Sequence, residues 1–342
     1  AYMSKRRLDN IESVLLSRRI GADSLVKCVA IVGGTHGNER HGVHMVRHYL
    51  KDPSKVTRDS FKTMCLIGNP ASVDNKGTGA GTRYVDQDLN RCFPATSIYS
   101  DKATALLNVE ERRAREVDLL LGPKDSRSPV ADFIFDLHNT TSNTGILLCF
   151  HPDDSFALRL AAFLHSKDPS IVMCLWPSGD RGLLPTVGRG GMTVEIGPLA
   201  HSTVNAKSLL QTMELIERAL DFIDEHNTAI SKGTAPPPLP DRSTLPLFKG
   251  IASLDYPRCG EEPTGFIHPN LQGISELQPG SIIKAGDPVF LMIDGSTQNF
   301  EGKGGPGLEN VDWTKDLYPM FVNEAAYYEQ GCACALAQKC SW

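Results

Sequence analysis

Apolar residues in this chain fall into short continuous runs separated by longer stretches with helical spacing. Residues 26–34 read VKCVAIVGG, a β-branched run closed by two glycines, and from Glu39 to Leu50 the apolar positions Val43, Val46 and Leu50 follow the period of a helix face. This predicts a strand, a turn and a helix. The alternation repeats with a strand over 61–68, a helix over 108–121 stopped by Gly122-Pro123, and a strand over 132–137. Residues 155–166 and 208–225 read as amphipathic helices, the second with Leu209, Met213, Ile216, Leu220 and Ile223 on one stripe. Between them, 192–196 reads as a buried strand. Strands alternating with helices predict an α/β fold, a mostly parallel or mixed sheet with helices on both faces.

At 232–240 the sequence becomes KGTAPPPLP, where consecutive prolines forbid helix and favour an extended connector. Beyond it the strand candidates (251–254, 289–293 and 320–322) are short and broken by Gly, Pro and Asp. The expected organisation is a larger α/β domain over 1–232 and a smaller β-rich domain over 241–342.

Composition acts mainly by exclusion. At 342 residues, 41% of them hydrophobic, the chain can build a full core without staples. A net charge of -5 argues against a phosphate backbone as partner, and the basic runs Lys5-Arg6-Arg7 and Arg112-Arg113 are short and sit among polar neighbours. No apolar stretch approaches the roughly 18 to 20 residues that span a bilayer, and Lys5 is not followed by an apolar signal core. A cytoplasmic protein is expected, with no membrane and no nucleic-acid partner. Nine cysteines, most of them scattered singly, suit a reducing compartment; Cys332, Cys334 and Cys340 cluster without the paired spacing of a zinc knuckle.

The candidate chemistry begins where the first strand gives way to a helix, in Gly33-Gly34-Thr35-His36-Gly37-Asn38-Glu39. An imidazole and a carboxylate three positions apart can point at one ion. His138 follows the strand Phe133-Ile134-Phe135-Asp136-Leu137 and emerges at the carboxyl edge of a sheet, where ligands of open α/β sheets gather. Two histidines and a carboxylate form the three-ligand set typical of catalytic zinc, with one position left for water or substrate. Taken alone the H-x-x-E pair equally suits surface ion pairing. His41, His44 and His48 on the following helix read as a polar face among Arg40, Arg47 and Lys51.

Glu195 stands inside the apolar run Met192-Thr193-Val194-Glu195-Ile196, where a buried carboxylate needs a partner or a task, unless it faces solvent. Residues 83–91, RYVDQDLNR, pack two arginines, two aspartates and an asparagine behind a glycine-rich loop; they suit either carboxylate recognition or an ordinary salt-bridged loop. There is no phosphate-binding loop, no G-x-S-x-G elbow and no dinucleotide glycine pattern. Cys92, directly before Phe93-Pro94, has no base near it in sequence.

Five segments together resemble the aspartoacylase and aminoacylase-3 family, itself similar in its first domain to zinc carboxypeptidases: 33–39 (GGTHGNE), 83–91 (RYVDQDLNR), 136–143 (DLHNTTSN), 194–198 (VEIGP) and 323–329 (NEAAYYE). The resemblance implies one zinc ion per chain held by His36, Glu39 and His138. Glu195 corresponds to the carboxylate that takes a proton from the metal-bound water and passes it to the leaving amine, and Arg83 to the arginine that polarises the scissile carbonyl. Asn90 and Arg91 match the pair that holds the α-carboxylate, and Tyr327 the tyrosine that closes over the substrate. A zinc-carboxypeptidase-like first domain, its mixed sheet flanked by helices, is expected, with the β-rich second domain narrowing the entrance.

The implied reaction is hydrolysis of an N-acyl amino acid, first of all N-acetyl-L-aspartate to aspartate and acetate. Departures from the aspartate-binding pattern at Pro185 and Gln330-Gly331 leave open an aminoacylase-3-like preference for aromatic or other neutral side chains; Arg181 or Arg189 could reach in instead. The remaining alternatives are a zinc carboxypeptidase and a non-catalytic zinc module. Whether the chain forms a homo-oligomer is left open.

Overall fold

Strand β1 (Cys28–Gly33) is buried along its whole length, as expected of six consecutive apolar or small residues with a neighbour on either side. It pairs in parallel with β2 (Lys62–Ile67) and with β3 (Phe133–Asn139), and β3 pairs in parallel with β6 (Gly190–Gly197). Next to β6 the direction reverses. Strand β4 (Gly145–Phe150) runs antiparallel to β6 and parallel to β5 (Val172–Leu175), which pairs in parallel with β7 (Leu247–Leu254). The chain's later part adds a hairpin of β8 (Arg258–Cys259) and β9 (Glu262–Pro263). A three-stranded sheet of β10 (Gly265–Ile267), β11 (Pro288–Met292) and β12 (Thr297–Asn299) follows. The antiparallel strands β13 (Tyr318–Met320) and β14 (Cys334–Lys339) then complete the main sheet through β7. Its order is β13-β14-β7-β5-β4-β6-β3-β1-β2.

This computed structural model describes residues 11–341 except 22, 78, 177–179, 181, 237–244, 304–307, 309–310 and 329. Arg181, Glu329 and the prolines of the connector therefore lie outside the described residues.

Among the described residues four helices longer than ten residues flank the sheet: Arg40–Lys51, Val109–Leu121, Ser155–Lys167 and Ala206–Ser231. On one face, Phe156, Phe222 and Ile223 pack against Phe133 and Phe135; on the other, Ala114, Val117 and Leu121 pack with Ala30, Val32 and Ile134. Asn108 caps the second of these helices reciprocally with Glu111. The expected mixed sheet with helices on both faces is present. The β-rich later region has its own apolar cluster around Tyr256, Ile267, Phe290 and Phe300. Chain and sheet nevertheless divide differently, because β7, β13 and β14 lie beyond residue 241 and extend the main sheet. Among the described residues no helix is long and apolar enough to cross a membrane.

One close approach positions the candidate chemistry. A Cβ on Gly33 would stand 2.1 Å from the Gly42 carbonyl oxygen, so two glycines let the helix 40–51 press on the end of β1. The turn 34–39 is thereby carried over the carboxyl edge of the parallel strands.

Candidate active site

His36 and Glu39 come from that turn, and His138 comes from the end of β3, two strands of one parallel pair. Their ligand atoms lie within 4.8 Å of one another, and all three side chains are buried. His36 Nδ1 is 2.7 Å from Glu39 Oε1, His138 Nδ1 is 2.9 Å from Glu39 Oε2, and the two Nδ1 atoms are 3.2 Å apart. The outer nitrogens face acids: His36 Nε2 is 2.9 Å from Asp88 Oδ1, and His138 Nε2 is 2.8 Å from Asp136 Oδ2. Each imidazole can thus donate its Nε2 proton to a carboxylate and turn the Nδ1 lone pair inward.

Two inward lone pairs beside a carboxylate repel unless a cation stands between them. Donors about 2.0 to 2.1 Å from a tetrahedral ion lie about 3.3 Å from each other, close to the Nδ1 separation here. The donor set therefore fits zinc, and the Asp88 and Asp136 carboxylates are the outer partners such histidines use. Without a cation, burial pushes both imidazoles down, as Arg83 does His36; Glu39 and Asp88 around His36, and Asp136 and Glu39 around His138, more than offset this and hold them above their usual range. Burial opposes ionisation of Glu39, but His36 and His138 keep its carboxyl well below the ordinary value.

Hydrogen bonds fix the supporting residues. Asp136 accepts from Thr35 Oγ1 at 2.6 Å, and Asn90 Nδ2 is 3.4 Å from both Asp136 Oδ2 and His138 Nε2. Arg83 donates to Glu39 Oε1 at 3.2 Å and Asp88 Oδ2 at 2.9 Å, while its buried Nε–H has no partner among the described residues. Glu110, from the helix 109–121, accepts the backbone N–H groups of Val85, Asp86 and Gln87, which fixes the loop between Arg83 and Asp88.

Glu195 sits opposite His138 in the β3–β6 register and lines the same pocket of about 180 Å³ as His36, Glu39 and His138. Burial raises its carboxyl, His138 draws it back, and the charges of Glu39 and Glu324 push it up again, to about 7. Asn90, Arg91 and Tyr327 line this pocket too, so the structure brings together every site residue expected from the sequence. The Tyr327 hydroxyl is pushed up by burial and by Glu195.

Several expectations are refined. Arg189 does not line the pocket: its Nη1 donates to Asp132 Oδ1 at 2.9 Å and its Nε to the Arg18 carbonyl at 2.9 Å. His44 and His48 are exposed on their helix, but His41 and Arg40, expected on the same polar face, are buried, and burial pushes the Cys92 thiol up to about 12. Cys334 is buried in β14, and all nine cysteines are free thiols.

The remaining wall was not foreseen. Cys149 and Trp176 come from β4 and the end of β5, Leu183 from the segment before β6, and Phe321 with Glu324 from the connection between β13 and β14. That connection is held by two acids. Glu324 accepts from the Thr140 hydroxyl and, at 2.9 Å, from the Thr141 N–H, and Glu276 accepts the N–H groups of Phe321 and Val322 at 2.6 and 3.0 Å. A glutamate after Asn323 was visible in the sequence, but its partners are some 180 positions away.

The chain is similar to known proteins over most of its length. Residues 26–223 match the family model described as succinylglutamate desuccinylase/aspartoacylase catalytic domain. A protein of Acaryochloris marina that carries the name probable aspartoacylase is 36% identical over 319 residues, 92% of this chain and 96% of its own. The N-acyl-aromatic-L-amino acid amidohydrolase (carboxylate-forming) of Homo sapiens is 35% identical over 91% of this chain and 90% of its own. The crystal structure of murine aminoacylase 3 superposes with a TM-score of 0.78 at 30% identity, covering 93% of this chain and 97% of that one.

Proposed function

The chain belongs to the succinylglutamate desuccinylase/aspartoacylase family, and from that premise we propose that it is a zinc-dependent deacylase that hydrolyses the amide bond of N-acyl amino acids. The observation that carries this reading is the convergence of two Nδ1 atoms and a carboxylate in the pocket that Glu195 faces. His36, Glu39 and His138 would hold the ion, which when bound supplies a Lewis acid that polarises an oxygen and makes water easier to deprotonate. Glu195, poised near 7, takes a proton from the attacking water on its carboxylate and delivers it to the departing amine nitrogen. Arg83, whose Nε–H has no partner among the described residues, supplies N–H donors to stabilise the oxyanion. Asn90 and Arg91 hold the α-carboxylate, and Tyr327 closes over the bound molecule.

For the amino acid itself, the wall of Cys149, Trp176, Leu183 and Phe321 favours an aromatic or other neutral side chain. Among the described lining residues the only cations are Arg83 and Arg91 besides the histidines, and both already have tasks. N-acetyl-L-aspartate is the second reading, supported by the relatives that carry the aspartoacylase name. The free thiols support a reducing, cytoplasmic setting. The test is acyl release from a panel of N-acetylated amino acids by zinc-loaded protein. We expect N-acetyl-aromatic substrates to outrank N-acetylaspartate and a chelator to abolish the rate. No turnover on the panel, or turnover indifferent to the chelator, would overturn the proposal.

A further inference from the structure

Lys124 is a lysine with no exposed surface, placed just after Gly122-Pro123 at the end of the helix 109–121, and the reaction described above does not use it. All three of its donors are spent. Nζ donates to the Phe93 carbonyl at 2.6 Å, to Asp180 Oδ1 at 2.6 Å and to Thr186 Oγ1 at 2.8 Å. Each bond leads toward the pocket. Thr186 Oγ1 donates onward to the Leu183 carbonyl at 2.5 Å. Asp180 accepts the Gly182 N–H on Oδ1 and the Ala95 N–H on Oδ2. The Phe93 N–H returns to the Gly182 carbonyl, so one ammonium joins the chain just after Asn90-Arg91 to the segment that precedes β6.

The far end of that segment is held separately. Arg18, also buried, donates to the carbonyls of Thr186, Val187 and Gly188 with Nη2 and to those of Lys124 and Ser126 with Nη1. Between the two anchors stand Leu183, a wall of the pocket, and Leu184, whose N–H donates to Asn90 Oδ1 at 2.7 Å. That bond turns the Asn90 amide so that Nδ2 faces Asp136 and His138.

A buried ion pair is a poor way to gain stability, because desolvation of two charges consumes most of their attraction. What it does impose is geometry. Burial lowers the ammonium and Asp180 draws it partly back, to about 8, so it keeps its third proton at neutral pH and satisfies three acceptors at once.

The geometry points to Lys124, acting through Asp180 and Thr186, as the positioning residue that sets where Leu183 stands and thereby which side chain of an N-acyl amino acid the pocket accepts. This rests on the deacylase reading. The experiment uses the full-length zinc-loaded chain, wild type, Thr186→Val and the charge-balanced double variant Lys124→Met with Asp180→Asn. KM and kcat are measured for N-acetylphenylalanine and N-acetylalanine, with hydrogen exchange followed over residues 182–188.

If Lys124 positions the wall, both variants raise KM for the aromatic substrate about tenfold while kcat stays within about threefold, and the preference over N-acetylalanine collapses. Exchange over 182–188 quickens relative to the rest of the chain. If the variants keep the wild-type KM and preference and only melt at a lower temperature, the ion pair is a staple of the fold and the inference is wrong. Should the wild type hydrolyse no N-acyl amino acid, the deacylase reading falls by itself. Exchange over 182–188 then decides the anchoring, with an unchanged rate overturning it.

Discussion

Two sets of residues line the pocket, the polar His36, Glu39, His138, Arg83 and Asn90 and the largely apolar Cys149, Trp176, Leu183 and Phe321. The first group hangs from the parallel half of the sheet, and nearly every polar atom in it has a partner that has a partner of its own, as in the path from His138 to Asp136 to Thr35. The second comes from the reversed half, the segment before β6 and the late connection, and its Leu183 and Phe321 are held in place by groups that do not line the cavity, Lys124, Arg18 and Glu276. Chemistry that needs fixed lone pairs is built on interlocking hydrogen bonds, whereas recognition of a neutral side chain needs only a shaped apolar surface. A change on the first side should therefore be felt as lost turnover or lost metal, and a change on the second as altered choice of substrate.

The largest effect should come from Glu195→Gln. Steady-state kinetics should show turnover lower by about a thousandfold or more, while metal analysis finds the ion still bound; near-normal turnover would remove Glu195 from the reaction. Next comes Asp136→Asn, which exchanges the acceptor behind His138 for an amide. Competition with a chelator should show zinc affinity weaker by about 10- to 100-fold, and an unchanged affinity would mean that the interlocking on the polar side is incidental.

On the apolar side, Leu183→Ala should lower kcat/KM for N-acetyl-aromatic substrates by about tenfold and leave N-acetylalanine nearly untouched. Equal losses on both would erase the contrast between the walls. The smallest effect concerns pH. Burial raises the Glu276 carboxyl from an ordinary value of 4.5 to about 8, against the pull of the Val322 and Phe321 N–H groups. Since the folded value is the higher one, protonation favours the fold; that contribution is complete below about 4.5 and is lost as pH rises through about 8. Glu276→Gln lacks this slope, so the melting temperature of the wild type should fall relative to the variant by a few degrees between about pH 5 and 9. Parallel melting curves would place the Glu276 proton elsewhere.

What could be read from the sequence follows the same division. His36 and Glu39 share one turn and Glu195 stands as an acid in an apolar strand, but local context left each open to a surface reading, and their roles followed only from the resemblance of five segments taken together. Asp136 carried that same signal, an acid inside Phe133-Ile134-Phe135-Asp136-Leu137, but which nitrogen it faces depends on a turn about 100 positions away. The apolar wall was illegible because Trp176, Leu183 and Phe321 are ordinary core residues until the sheet order sets them around one space. Strands β5 and β14 (VMCL and CALAQK) are too short or too mixed to announce themselves. A boundary drawn at the proline run could not foresee that β7 would pair with β5.

Phe321, Glu324 and Tyr327 all ride on the connection between two adjacent antiparallel strands of the main sheet. Such a connection works as a cassette. With Glu324 and Tyr327 kept, exchanging the other residues of this one stretch between relatives should reshape the wall at Phe321 while the bonds of Glu324 to Thr140 and Thr141 hold it in place.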